Sequence, residues 1–148
     1  MSDQEWIDKF AIQELIYSHC DAITRGDLMA RRDSALDTLL HLDADGTKKF
    51  RPLKESYDAE MKKIAEQRLA LMKEFMAAHD KLTAQTAKQM ADRAFQLEDA
   101  RNAVRRKYFE RMSAEVSPVA AVQFLQLQRQ FETMADLKAA TNTPLATP

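Results

Sequence analysis

Few residues in this 148-residue chain have both the type and the spacing for chemistry. His19 and Cys20 are neighbours, and successive side chains on a helix point about 100° apart. They therefore neither chelate one ion together nor act as base and nucleophile. The other histidines, His41 and His79, stand far away in sequence. Eight methionines raise the idea of a copper site or an adaptable apolar surface. Met61, Met90, Met112 and Met134 fall on apolar helical stripes, however, where packing accounts for them. Glu98 and Asp99 are successive residues of a helix surface, and nothing marks them as an acid–base couple. No glycine-rich phosphate loop is present. The expectation is a protein that is not an enzyme, with no catalytic, cofactor-binding or metal-binding residues.

One cluster does invite a binding role. Arg101, Arg105, Arg106, Lys107 and Arg111 lie within about three helical turns. They make a candidate surface for an acidic polypeptide, with nucleic acid as the less favoured partner. The competing reading is a solvated helix face whose cations suit a helix C-terminus. The formal net charge is -1, unevenly spread: residues 1–45 hold ten acids against Lys9, Arg25, Arg31 and Arg32.

The elements that must carry these residues are helical. Only two glycines, Gly26 and Gly46, and four prolines punctuate the chain, far too few for a turn-rich β fold. Tyr57, Met61, Ile64, Leu71 and Phe75 form one stripe of helical period, and Met90, Ala94, Leu97, Val104, Tyr108 and Met112 form a second. The break between them falls at 79–83. The sequence thus predicts an all-α fold built on a long antiparallel helical hairpin over 47–115, with additional N- and C-terminal helices. At ~30 residues and ~1.5 Å per residue, each arm would run roughly 45 Å. Such a hairpin is too thin to bury a core by itself, so further helices or a second copy of the chain must cover it. Each stripe is interrupted by an arginine, Arg68 or Arg101. Folding the arms together about 80–82 brings Arg68 near Glu98 and Arg101 near Glu60; the alternative is that both guanidiniums reach solvent.

Helices are expected at 3–25, 28–41, 47–79, 83–115 and 118–139 within a single helical domain. Ser2 to Glu5 reads as a capping box, and Gly26 as the stop of the first helix. Asp43 or Asp45 can cap the first arm, and Pro52 sits in its first turn or kinks it. Asp80 and Thr83 are candidate caps between the arms, Thr83 the better placed for the second, and Ser117-Pro118 starts the closing helix of 117–140, whose apolar residues include Val122, Phe124, Leu125, Leu127, Phe131, Met134 and Leu137. Residues 141–148 read as a loose tail. With one cysteine, Cys20, no internal disulfide forms. No apolar run approaches a membrane span. The acidic start lacks a signal-peptide layout, so the chain as written is expected in the cytosol.

Two resemblances follow from particular residues. Ala11-Ile12-Gln13-Glu14-Leu15-Ile16-Tyr17-Ser18-His19-Cys20-Asp21, continuing to Gly26-Asp27, resembles the opening helix of SnoaL-like proteins. That likeness covers residues ~4–28, and it implies an α+β barrel with isomerase or hydratase activity. No period-two pattern follows Asp45, so only a fragment without a complete active site would remain.

Leu42-Asp43-Ala44-Asp45, Phe50-Arg51-Pro52-Leu53, Arg68-Leu69-Ala70-Leu71, Leu82-Thr83, Val116-Ser117-Pro118 and Ala120-Ala121-Val122-Gln123-Phe124-Leu125 resemble a family of small exported bacterial proteins. These are similar in helical layout to the periplasmic Spy and CpxP proteins. The likeness spans residues ~39–145 and implies an envelope-stress or chaperone role. Two departures accompany it: Arg51 stands where an aromatic is usual, and Leu82-Thr83-Ala84-Gln85 places its glutamine one residue early. The two resemblances meet near residue 28, as they would in a chimeric or designed chain. The expected function is that of a non-enzymatic helical binding protein, chaperone-like and homo-oligomeric, for unfolded or acidic polypeptide clients.

Overall fold

The computed structural model describes residues 25–147. The helix expected at 3–25, its capping box, His19 and Cys20 lie outside the described residues. Four helices follow one another: α1 (Arg25–Leu39), α2 (Ala44–Ala78), α3 (Ala84–Glu115) and α4 (Pro118–Thr141). Among the described residues there is no strand, so the fold is all-α, and these residues form no α+β barrel.

Local chemistry sets the helix ends. Asp43 is extended, and its carboxylate accepts from the Gly46 amide at 2.6 Å, which starts α2 three residues before the expected 47. Pro52 consequently lies inside α2, beyond the first turn. Thr83 accepts from the Thr86 amide at 3.1 Å, and the Thr86 hydroxyl accepts from the Thr83 amide at 2.9 Å, a reciprocal capping box that starts α3. Ser117 accepts from the Ala120 amide at 3.1 Å, and Pro118 fills the first helical position of α4.

Two expectations at the N-terminal side are corrected. The helix that Gly26 is expected to stop lies outside the described residues; Gly26 itself is helical in α1, whose described part reaches back to Arg25, ahead of the expected start at 28. The expected end of that helix at 41 moves back to Leu39, because His41 adopts a left-handed φ of 43° and breaks the helical path.

α2 and α3 form the hairpin, α4 packs back along α3, and α1 packs on α4. The hairpin keeps one register throughout, marked by the pairs Glu60–Lys107, Arg68–Glu98 and Glu74–Arg93. The core occupies the half of the bundle away from the hairpin tip. Tyr57 is its centre, edge-on to Tyr108 at 5.5 Å and to Phe124 at 5.1 Å, while Phe124 also meets Phe50 at 5.6 Å. Each such pair adds ~0.5–1.5 kcal/mol to the area buried. Leu36, Leu40, Leu53, Ile64, Val104, Met112, Ala120 and Ala121 complete this core.

Toward the tip the stripe loses its cover. Leu71 is still buried, Phe75 and Met90 are half-buried, and Ala94 is exposed. Where the core is thickest the expected stripes hold; at the tip they extend beyond the cover that the described helices give them.

Candidate functional site

The most organised group of polar side chains surrounds Arg32, which lies on α1 one turn before Leu36. Its guanidinium is 1 % exposed and reaches both carboxylate oxygens of Asp58 on α2, at 2.6 and 2.7 Å. It also donates to the Gln128 side-chain oxygen on α4 at 2.8 Å and to Asp33 at 2.8 and 3.1 Å. Burial works against the charge of Arg32; Asp58 and Asp33 overcome it and hold its pKa above the ordinary arginine value. Burial likewise opposes the Asp33 carboxylate, but Arg32 and Lys54 outweigh it and hold that carboxyl below its usual range.

A second centre joins the first through Gln128, whose amide donates to Glu132 at 3.0 Å. Glu132 accepts the Tyr57 hydroxyl at 2.9 Å on the same oxygen, while its other oxygen takes Arg105 and Arg101. Burial first, and then the Glu132 charge, push the Tyr57 phenol far above its ordinary pKa. Arg101 further bonds Asp136 at 3.2 Å and Glu98 at 3.0 Å, and Arg68 bonds Asp136 at 3.0 Å. Burial disfavours the Arg101 charge, but Asp136, Glu98 and Glu132 raise its pKa above the ordinary value. On the opposite side of α3, Glu60 takes both Lys107 at 2.6 Å and the Tyr108 hydroxyl at 2.7 Å, and these bonds hold its carboxyl below the usual range. The first two centres, joined by hydrogen bonds through the neutral Gln128, tie α1, α2, α3 and α4 together, and the Glu60 group adds a separate link between α2 and α3.

The structure decides between the two readings of the seam arginines. Arg68 meets Glu98, with the ion pair at 3.6 Å, as expected. Arg101 does not meet Glu60. The observed hairpin register sets Glu60 across from Lys107 and Tyr108, so Arg101 turns to α4 instead and finds Glu132 and Asp136.

This arrangement is a clamp, with charges on four helices paired to one another. Tyr57 and Glu132 are a hydrogen-bonded acid and base, and Tyr57 is fully buried, with the rings of Tyr108 and Phe124 in edge contact with it. Each carboxylate named here already has a cation or hydroxyl as partner. Among the described residues no three His, Cys, Asp or Glu side chains gather as metal ligands, and no helix is long and apolar enough to cross a membrane.

The five cations of the expected binding surface are now placed. Arg101 is buried in the network, Arg105 is bonded to Glu132, Lys107 to Glu60, and Arg111 to Glu115 at 3.2 Å. Arg106 is exposed and has no ion-pair partner among the described residues. What the sequence reading missed is Arg32, Asp58 and Gln128. The available signal was the spacing Arg32, Leu36, Leu40, which puts the arginine on the buried face of α1.

At the tip of the hairpin the surface is different. An open groove of ≈ 430 Å³ runs between Glu74 on α2 and Thr86, Met90 and Arg93 on α3. Arg93 spans it to reach Glu74. Asp92 lines the same groove, and one turn further along α3 stands Phe95, 68 % exposed.

The chain matches no family model, no curated protein and no solved structure.

Proposed function

We propose that this chain is a non-enzymatic, chaperone-like helical binding protein that holds apolar segments of other polypeptides at the tip of its hairpin. The observation that carries the reading is Phe95, an aromatic side chain standing in solvent beside an open groove that contains Met90. An aromatic ring and a flexible thioether suit weak contact with many apolar sequences, because neither demands one geometry. The paired charges of Glu74 and Arg93 keep the groove soluble without giving it a single sign. Selection by apolar character rather than by charge is therefore expected. This differs from a cationic rim at Arg105, Arg106 and Arg111, two of which are engaged with Glu132 and Glu115. Client holding is also the activity that the resemblance of residues ~39–145 to periplasmic stress proteins implies.

The test is light scattering from a chemically denatured client diluted into buffer, without nucleotide, at rising molar ratios of this protein. The wild type should suppress scattering at several-fold excess. Phe95→Asp should lose most of that protection with helicity unchanged, since Phe95 supports no packing in the core. A wild type that gives no protection at any ratio ends the reading.

A further inference from the structure

α1 reaches one face of α2 only through side chains. There Arg32 meets Asp58 and Asp33 meets Lys54. The same face continues toward the tip as Ala65, Leu69, Met72 and Met76, at steps of four, three and four. That is heptad spacing, the pattern by which one helix presents a straight seam to another. It lies roughly 100° around α2 from the core stripe of Tyr57, Ile64 and Leu71. Among the described residues the seam stays open: Leu69 is 46 % and Met76 44 % exposed, and Ala65 and Met72 are half-buried.

The charges beside the seam say what fits it. Glu66 and Lys73 occupy the same flanking position in successive heptads, and both are exposed. Lys73 has no ion-pair partner among the described residues, and Glu66 has only Lys62 at 4.0 Å. When two copies of such a seam pair antiparallel, like flanking positions meet, so Glu66 of each copy faces Lys73 of the other. The two-fold axis makes this contact twice. A parallel pairing would instead set Arg68 against Lys73, two cations.

We propose that the Leu69–Met72–Met76 seam is an antiparallel contact with a second copy of this chain. The inference does not rest on client holding, and it leaves Phe95 on α3 uncovered. From Ala65 to Met76 the seam is ~16 Å long, which places the interface below the size of stable complexes and makes the dimer weak and concentration-dependent.

Sedimentation velocity on the full chain, from low micromolar to near-millimolar concentration, tests this. The wild type should shift from monomer to dimer over that range. Leu69→Glu/Met76→Glu should remain monomeric throughout with unchanged helicity, both sites being on the surface. Glu66→Lys and Lys73→Glu should each weaken dimerisation several-fold, and Glu66→Lys/Lys73→Glu should restore it. A wild type that is monomeric throughout overturns the proposal, as does a dimer that persists in Leu69→Glu/Met76→Glu. A dimer indifferent to either single charge reversal overturns the antiparallel arrangement. Loss of client protection in Leu69→Glu/Met76→Glu, with a monomeric wild type, assigns the seam to clients and also overturns it. Phe95→Asp, scored for protection, fails or succeeds separately.

Discussion

Replacing Arg32 by methionine keeps most of the side chain's apolar stem while removing its guanidinium. Three partners then lose a donor: Asp58 loses two short bonds, and Gln128 and Asp33 lose theirs. Removing one member of a buried ion pair costs about 3–5 kcal/mol, mainly because the other charge stays behind. Asp58 is 21 % exposed at its side chain and keeps Lys54 at 3.4 Å, so some of that penalty is relieved by water and by the lysine. The expected loss is about 2–4 kcal/mol, a large share of the ~5–15 kcal/mol that holds a typical domain together. Urea unfolding followed by far-ultraviolet circular dichroism measures it.

Hydrogen exchange should show where the loss falls, with the amides of α1 opening before those of α2 and α3. Arg32→Met/Asp58→Leu should recover at least half of the loss, since removing both charges removes the stranded one. If Arg32→Met shifts stability by under about 0.5 kcal/mol, α1 is held by Leu36 and Leu40 alone and the clamp reading is wrong.

Further outcomes are expected. His41→Gly should stabilise the protein by about 0.5–1 kcal/mol in the same assay, because the residue is exposed and its left-handed φ costs glycine nothing. Ile64→Ala should cost about 2–4 kcal/mol, and Leu97→Ala, at a half-buried site, about 1–2 kcal/mol; equal losses would place the core nearer the tip than it is. The carboxyls of Asp33 and Glu60 are held below their ordinary range, so their stabilising effect is complete above the unfolded carboxylate pKa and is lost as pH falls through their folded values. An acid titration of the melting temperature should be flat near neutrality and fall below about pH 4, and one that falls already near pH 6 contradicts this. Tyr57 has a raised pKa, so its contribution is complete below about pH 10 and is lost as pH rises beyond that; its phenolate absorbance should appear only with unfolding.

The helices were legible because their limits are chemical and local. Thr83 and Ser117-Pro118 announce themselves by residue type, and the absence of glycine and proline from Lys54 to Ser117 leaves two long uninterrupted arms. The stripes through Tyr57, Ile64, Val104, Tyr108 and Met112 were legible for the same reason, since periodicity is a property of each helix alone. What stayed hidden depends on pairings between helices. Arg101 lies on its stripe as expected, yet its partners come from α4, and only the observed register reveals that Glu60 is out of reach. Arg32 was hidden by composition: α1 is polar enough that an arginine beside Leu36 reads as surface, and Asp58 reads as part of a charged face of α2. The open seam at Leu69 and Met76 was missed because attention to the inward stripe ignores the face next to it.

The bond between Arg32 and Gln128 joins residues 96 apart in the chain, whereas Glu74 and Arg93 are separated by 19. Closing the hairpin needs only short-range search, so it can form soon after α3 exists, and proteins rich in such contacts fold quickly. Of the described helices α1 is synthesised first, but it has no complete docking place until α4 has been made. At ~5–20 residues per second, that interval lasts several seconds. For that time Arg32 lacks its Gln128 partner, and α1 lacks the face of α4 on which it packs. The order of synthesis and the order of assembly therefore run opposite to each other at this end of the chain, and a truncation before α4 leaves a hairpin that α1 has no complete surface to close upon.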